Sequence, residues 1–382
     1  MNLAALIEIR DLIQNDINQR GLGSDPSSNL LTSCPQDFLQ SCQSLSMPGQ
    51  VSLGIVTGFF IPHASPPLTP TPLPQGSRGE GSGETDGPLG ALFLARALVP
   101  LGIRVVLATD GFCARALQAG LQACGLQQKV PVVVFPPPTE MAEWSADTFW
   151  KWFYQRTGPL THLLALERVG PCHTLASHQS HGDQGTLRGS ISEFLSHLPL
   201  VLTPSTFRFV DTYKEFVSQV PDEHQNRCHS MRGLDITDSM SPSHLLFEAA
   251  REFKPQVTTI GIGDGGNEIG MGKISWDVIR RNIPNGGLIA CRVPTDYLIV
   301  CGISNWGAYG LATGIALARG KPLPKSLFDV KTEFRLLSVM VKEGPLVDGV
   351  TGRPTATVDG LSFDRYAEIL SRLEKKVVLR SE

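Results

Sequence analysis

The chain has 382 residues, of which 41% are hydrophobic and 18% charged, and a formal net charge of −3. This composition excludes a disordered chain and a coiled coil, and it gives no electrostatic reason to expect nucleic acid or an anionic membrane as partner. The length allows a substantial buried core, as one large α/β domain or two smaller ones. Eight cysteines, none in a CxxC pair and several inside apolar runs, read as reduced thiols of an intracellular protein.

Residues 1–50 read as an N-terminal helical segment. From Met1 to Gly21 apolar residues recur at helical spacing among Glu8, Asp11 and Asp16, which fits an amphipathic helix better than a targeting peptide. Strands are predicted at 51–61, 103–110, 131–135, 161–167, 257–263, 287–293 and 297–304, with a weaker one at 198–203. Helices are predicted at 89–101, 113–124, 146–155, 243–254, 268–282 and 306–319. Apolar runs alternating with helices predict an α/β fold over 51–325, a doubly wound, mostly parallel sheet with helices on both faces (Rossmann-like). The stretch 62–83 is proline-rich and then glycine-rich, a flexible insertion. Residues 326–382 form a C-terminal helical extension, with helices at 327–342 and 363–376 flanking a turn-rich stretch at 347–360. No apolar stretch is long and unbroken enough to span a bilayer.

In parallel sheets ligands sit beyond the carboxyl ends of the strands, and this selects the loops that matter. The segment TTIGIGDGGNEIGMGK (258–273) carries a strand into a loop with Gly261, Gly263, Gly265 and Gly266, followed by a helix from about Glu268. Gly261, Gly263 and Gly266 fit GxGxxG, but Asp264 would repel a pyrophosphate and no acid follows at the required distance. A P-loop fails as well, because Ile274 follows Lys273 and Asn267 stands where the first glycine is needed. What remains is a glycine loop displaying Asp264, Asn267 and Glu268, which suits proton transfer, a divalent metal or an ammonium group. The plainer alternative is a tight turn capped by Asn267.

The segment ETDGPLG (84–90) brings Glu84 and Asp86 to the same crevice, with Pro88 in the first turn of a helix. Asp110 and Glu167 also end strands, and are equally readable as a capping residue and as half of a surface pair with Arg168. His173, His178, His181 and Asp183 read as a solvated loop before a metal site. Arg232 is placed to meet a carboxylate or to be a surface arginine, and Asn305 to cap a helix or reach a ligand. If the sheet is parallel, Glu84, Asp86, Asp110, Glu167, Asp264 and Glu268 converge on one rim, where like charges raise one another's pKa.

Seven pieces carry a resemblance: TGFFIP (57–62), ETDGPLGA (84–91), TDG (109–111), ERVGP (167–171), MRGLDIT (231–237), GIGDGGNEIGMGK (261–273) and SNWGAYGL (304–311). In this order they resemble the D-glutamate cyclase family, specifically its C-terminal, D-glutamate cyclase-like domain. The resemblance spans about 57 to 311 and fits a single-domain bacterial or plant-type member, without the additional N-terminal domain that some members have. The chain departs from the pattern in its proline-rich insertion and in the long stretch 172–228.

The resemblance implies ring closure of D-glutamate to 5-oxo-D-proline with loss of water, a hydro-lyase reaction. The α-amine must lose a proton to a general base, and the γ-carboxyl must be protonated or polarised. Matched to these residues, that chemistry assigns Asp264 and Glu268 as the acid/base pair, assisted by Glu84 and Asp86. Asn267, with Gly265 and Gly266, would orient the substrate, and Arg232 or Lys273 would hold its α-carboxylate. Asp110, Glu167 and Asn305 would line the pocket. The resemblance fixes no cofactor, and a divalent metal, Mg or Mn, is compatible with the acids. The expected partner is a small molecule, D-glutamate, with no nucleic acid and no membrane; a homo-oligomer is compatible with these features. The expected location is the cytoplasm, or the mitochondrial matrix in a eukaryote. The same residues also fit a metal-dependent enzyme acting on a phosphorylated or nucleotide substrate, and a non-catalytic amino-acid-binding module.

Overall fold

A computed structural model describes residues 2–63, 81–182 and 213–378. Strand β1 (Ser52–Thr57) leads into a small antiparallel hairpin of β2 (Phe60–Pro62) and β3 (Gly81–Gly83). The main sheet continues with β4 (Arg104–Thr109), β5 (Val132–Val134), β6 (His162–Leu166), β7 (Thr258–Gly263) and β8 (Tyr297–Val300). The six strands lie in the order β5-β4-β1-β6-β7-β8, and every pairing is parallel. Both faces are covered because alternate residues feed two separate cores. Leu53, Ile55, Val105, Leu107, Leu164 and Leu166 enter one, while Val56, Val106, Ala108, Leu163 and Ala165 enter the other. Burying each large aliphatic side chain contributes about 1.5–3 kcal/mol. This is the doubly wound parallel fold expected from the pattern.

Helices α1 (Leu3–Ile13), α2 (Leu30–Ser33) and α3 (Asp37–Ser46) precede β1. Next come α4 (Pro88–Leu98), α5 (Gly111–Ala123), α6 (Ala146–Thr157), α7 (Leu175–Gly182), α8 (His244–Phe253) and α9 (Trp276–Asn282). The remainder are α10 (Gly286–Ile289), α11 (Ser304–Arg319), α12 (Val330–Glu343) and α13 (Phe363–Val378). Side chains of α1, α3, α4, α5, α11, α12 and α13 share the first core, and those of α6, α8, α9 and α10 the second. Leu6 and Ile13 near the start and Tyr366 and Leu370 near the end thus pack into the same cluster as Ile55 and Ile260. Close packing of α11 depends on glycine. A Cβ on Gly310 would lie 2.7 Å from the Ile13 side chain, and one on Gly314 2.4 Å from Cys42 Sγ. The strand order reverses between β1 and β6, and that switch point opens a crevice beyond their carboxyl ends. Among the described residues no helix is long and apolar enough to cross a membrane, and all eight cysteines are free.

Four expectations change. The first helix ends at Ile13 rather than Gly21: Gln14 already leaves helical geometry (φ −82°, ψ 4°), and Gln19 (φ 52°) and Gly21 (φ 98°) take left-handed conformations that no helix continues through. Residues 81–83 of the insertion form β3, paired with β2; residues 64–80 lie outside the described residues, as does the weak strand at 198–203. No helix begins at Glu268: residues 264–275 form a loop, and α9 starts at Trp276. The strand at 287–293 is replaced by the short helix α10, since left-handed Asn285 and the following glycines fold the chain against α9.

Candidate active site

The ETDG limb crosses the switch point. Glu84 N donates to Phe59 O (3.0 Å) and Thr85 N to Val347 O (2.9 Å), so the limb is held between the β1 end and the C-terminal turn. Gly87 has φ 90°, and a Cβ there would lie 2.7 Å from Thr57 Oγ1 and 2.8 Å from Glu167 Cβ. Only glycine lets the chain pass over the ends of β1 and β6. Pro88 then opens α4. Asp86 accepts hydrogen bonds from Ser304 N (2.9 Å) and Asn305 N (2.8 Å), at the start of α11. Asn305 Oδ1 accepts from Gly87 N (2.9 Å) and Gly90 N (2.7 Å), and its amide donates to Thr85 O (3.3 Å).

The glycine loop after β7 is organised around its own acid. Glu268 Oε1 accepts from Asp264 N (2.7 Å) and Gly265 N (2.6 Å), and Asn267 Nδ2 donates to His229 O (2.8 Å). The chain then runs back along β7. A Cβ on Gly261 would lie 2.6 Å from Ile269 O, and one on Gly266 would lie 2.8 Å from the Ile279 side chain. The glycines therefore let the chain approach itself. With no helix start at this point, the loop offers no helix-terminal anion site. The return path carries Lys273 to the amino end of β8, where Nζ meets Asp37 (2.5 Å) and Asp296 O (2.6 Å).

Two further residues, Arg20 and Asp359, enter from segments that sequence reasoning left outside the site. Asp16 accepts from the amides of Arg20 (2.8 Å), Gly21 (3.0 Å) and Leu22 (3.0 Å), fixing a loop that projects Arg20 into the crevice. There the guanidinium pairs with Asp264 and, at 2.6 Å, with Asp359. Asp359 is positioned by Asp348, whose carboxylate accepts from Val350 N (3.1 Å), Thr351 N (2.8 Å) and Gly360 N (2.8 Å). Ser304 links the two limbs: its amide reaches Asp86 and Asp264 (3.2 Å), and its hydroxyl donates to Glu167 (2.5 Å). Glu167 itself holds a left-handed φ of 44°, a costly conformation for a non-glycine residue.

The result is six acids at most 6% exposed, Glu84, Asp86, Glu167, Asp264, Glu268 and Asp359, with Arg20 among them. Carboxylate oxygens of Asp86, Asp264 and Asp359 lie within 4.8 Å of one another, as do those of Glu167, Asp264 and Glu268. Either triad has the all-oxygen donor set that a hard divalent cation takes. Burial, reinforced by neighbouring carboxylates, holds Glu84 and Glu167 well above the usual carboxylate range. Burial also raises Asp264, against the opposing pull of Arg20. Asp86 is pushed up to about 7, by burial first and the Asp359 charge second. For Arg20 burial acts downward, but the surrounding carboxylates, Asp264 foremost, outweigh it and raise its pKa.

Other candidates are occupied elsewhere. Arg168 is fully buried, not half of a surface pair. It donates to Gly58 O (3.0 Å), Ser241 O (3.0 Å) and Ser243 Oγ (2.7 Å) and pairs with Asp110, which also accepts from Ser241 N (2.8 Å). Arg232 is exposed and donates to Val350 O (2.7 Å), tying its turn to the one held by the Asp348 carboxylate. The expected solvated histidine loop is instead largely structured. His173 is buried, and His178 stacks on Phe216 from helix α7. Asp183 lies outside the described residues.

Comparison with known proteins adds two findings. A family described as "D-glutamate cyclase-like, C-terminal" matches residues 9–184 and 217–374, so the match takes in Arg20 and Asp359. The chain is also 26% identical over 392 aligned residues to the human protein named "D-glutamate cyclase, mitochondrial". That alignment covers 96% of this chain and 51% of the relative, so the chain spans about half the length of the curated protein it matches.

Proposed function

The chain belongs to the D-glutamate cyclase-like family, and from that premise we propose that it closes D-glutamate to 5-oxo-D-proline with loss of water, as a hydro-lyase. One observation carries the reading: a single fixed guanidinium, Arg20, set among buried carboxyl groups at the switch point. A zwitterionic amino acid needs both kinds of neighbour. The α-carboxylate meets Arg20, which can keep its two aspartates and still present further N–H donors. The α-ammonium faces the acids. Arg20 takes this role in place of Arg232 and Lys273, which are engaged at Val350 and Asp37.

The acid/base work falls to the ETDG limb. Asp264 is joined to Arg20 and Glu268 is held by two loop amides, whereas burial raises both Asp86 and Glu84. The Ser304 and Asn305 amides favour the charged form of Asp86, which makes it the base of the pair and Glu84 the acid. Asp86, near 7, takes a proton from the ammonium; the freed amine attacks the γ-carboxyl carbon held next to it. Glu84, kept neutral by burial, protonates the departing oxygen. Nitrogen sheds two protons and the leaving water carries two, so the pair returns to its starting state after one exchange. Asn267, Gly265 and Gly266 shape the loop wall, and Asn305 fixes the limb. We place the reaction in the cytoplasm, with the mitochondrial matrix as the alternative in a eukaryote; the human relative is named as mitochondrial.

The decisive experiment incubates the intact chain with D- and L-glutamate, with and without chelator, and measures 5-oxoproline. The reading expects product from the D-enantiomer. Saturable binding of D-glutamate that is recovered unchanged would sink it in favour of a binding module.

A further inference from the structure

We propose that Glu167, Asp264 and Glu268 hold one divalent cation of the magnesium or manganese class, and that Arg20 is the resident cation of the adjoining triad Asp86–Asp264–Asp359, limiting the site to a single ion. The two triads share Asp264 but are served unequally. The guanidinium lies on Asp264 and Asp359, and among the described residues no ion pair reaches Glu167 or Glu268. Glu268 is 1% exposed; Oε1 is committed to two loop amides, and Oε2 is buried with no hydrogen-bond partner among the described residues.

A buried carboxylate oxygen left unmatched is costly, and a cation is the ligand that would satisfy it. The amides on Oε1 fix the carboxylate plane, as the outer shell of a metal ligand does. Asp264 has an oxygen for each neighbour: Oδ1 faces Arg20, and Oδ2 takes only Ser304 N. Three carboxylates and no nitrogen or sulfur donor favour a hard cation that keeps some of its water. On the other side, Asp359 Oδ2 is also buried without a partner. Removing the guanidinium would therefore expose a second complete triad.

The test is ion binding to the intact chain without substrate, so its outcome is separate from the reaction proposed above. Mn²⁺ is titrated and followed by electron paramagnetic resonance and calorimetry, with Mg²⁺ as competitor. The expected result is one ion per chain, weakened at least tenfold in Glu268→Gln and unchanged in Asp359→Asn, with two ions per chain in Arg20→Met. No saturable ion, two ions in the unaltered chain, loss of the ion in Asp359→Asn, or a folded Arg20→Met that still binds one would each overturn the proposal. Should Arg20→Met fail to fold, the unaltered chain, Glu268→Gln and Asp359→Asn still decide it.

Discussion

Asp86 and Asn305 each cap the helix that begins beside the other. The aspartate accepts from the first two amides of α11, and the asparagine from two amides at the start of α4. Two helices from opposite sides of the switch point are thereby locked in register, and the lock is made of site residues. Replacing Asn305 by alanine leaves the Gly90 amide buried without its acceptor, while Gly87 N keeps Asp86 Oδ1 at 3.0 Å. The expected cost is about 1–3 kcal/mol, read as a lower denaturation midpoint at unchanged m-value. Asn305→Asp keeps the acceptor and should recover part of the loss at acidic pH.

Asp86 makes activity and stability move in opposite directions with pH. As the proposed base it must be ionised, so kcat/KM is expected to rise as pH climbs through about 7. Its folded pKa lies above the unfolded value, so its contribution to stability is complete below about pH 4 and is lost as pH rises through about 7. The loss is up to about 4 kcal/mol across that window. Rates and thermal melts from pH 5 to 8 should cross; a rate that falls over this interval contradicts the assignment.

Glu84→Gln removes the proposed acid with little change in shape. A fall in kcat of about 10²–10⁴ is expected, with the melting temperature held or raised because one buried acid is gone. Arg20→Lys should instead raise KM, since a point charge cannot hold Asp264, Asp359 and a carboxylate in one plane. Steady-state kinetics on the two variants separates these effects.

Gly261→Ala tests the reading of the glycine loop. The new Cβ meets backbone, 2.6 Å from Ile269 O and 2.8 Å from Gly270 Cα, and backbone cannot rotate away. Destabilisation of roughly 1–3 kcal/mol is expected from overpacking. A fully stable Gly261→Ala chain with impaired substrate binding would return the glycines to a direct role at the ligand.

The sheet was legible because buried parallel strands announce themselves as apolar runs, and because glycine or an acid follows the ends of β1, β4, β6 and β7. Five of the six buried acids of the rim, Glu84, Asp86, Glu167, Asp264 and Glu268, were expected there from their places after predicted strands, whereas Asp110, expected with them, is paired with Arg168. Arg20 was obscured by the apolar spacing before it, which suggests one helix to Gly21; the break rests on left-handed Gln19 and on Asp16 gathering three amides, neither of which periodicity reveals. Asp348 and Asp359 lay in a tail that looks like a cap. One signal would have found them. The chain contains five Asp–Gly pairs, at Asp86, Asp110, Asp264, Asp348 and Asp359. All five aspartates are buried. A glycine after each lets the chain turn tightly while its carboxylate faces inward. Lys273 misled for the converse reason: sequence proximity to the glycine loop says nothing of a chain that doubles back along its own strand.

The ion pair between Arg20 and Asp359 joins positions near the two ends of the described chain. Arg20 can meet Asp264 before the last portion of the chain is made, but its second partner arrives only with Asp359, so the pocket's charge arrangement is completed late. A chain cut within the turn that carries Asp359 would leave the guanidinium with one aspartate of its two.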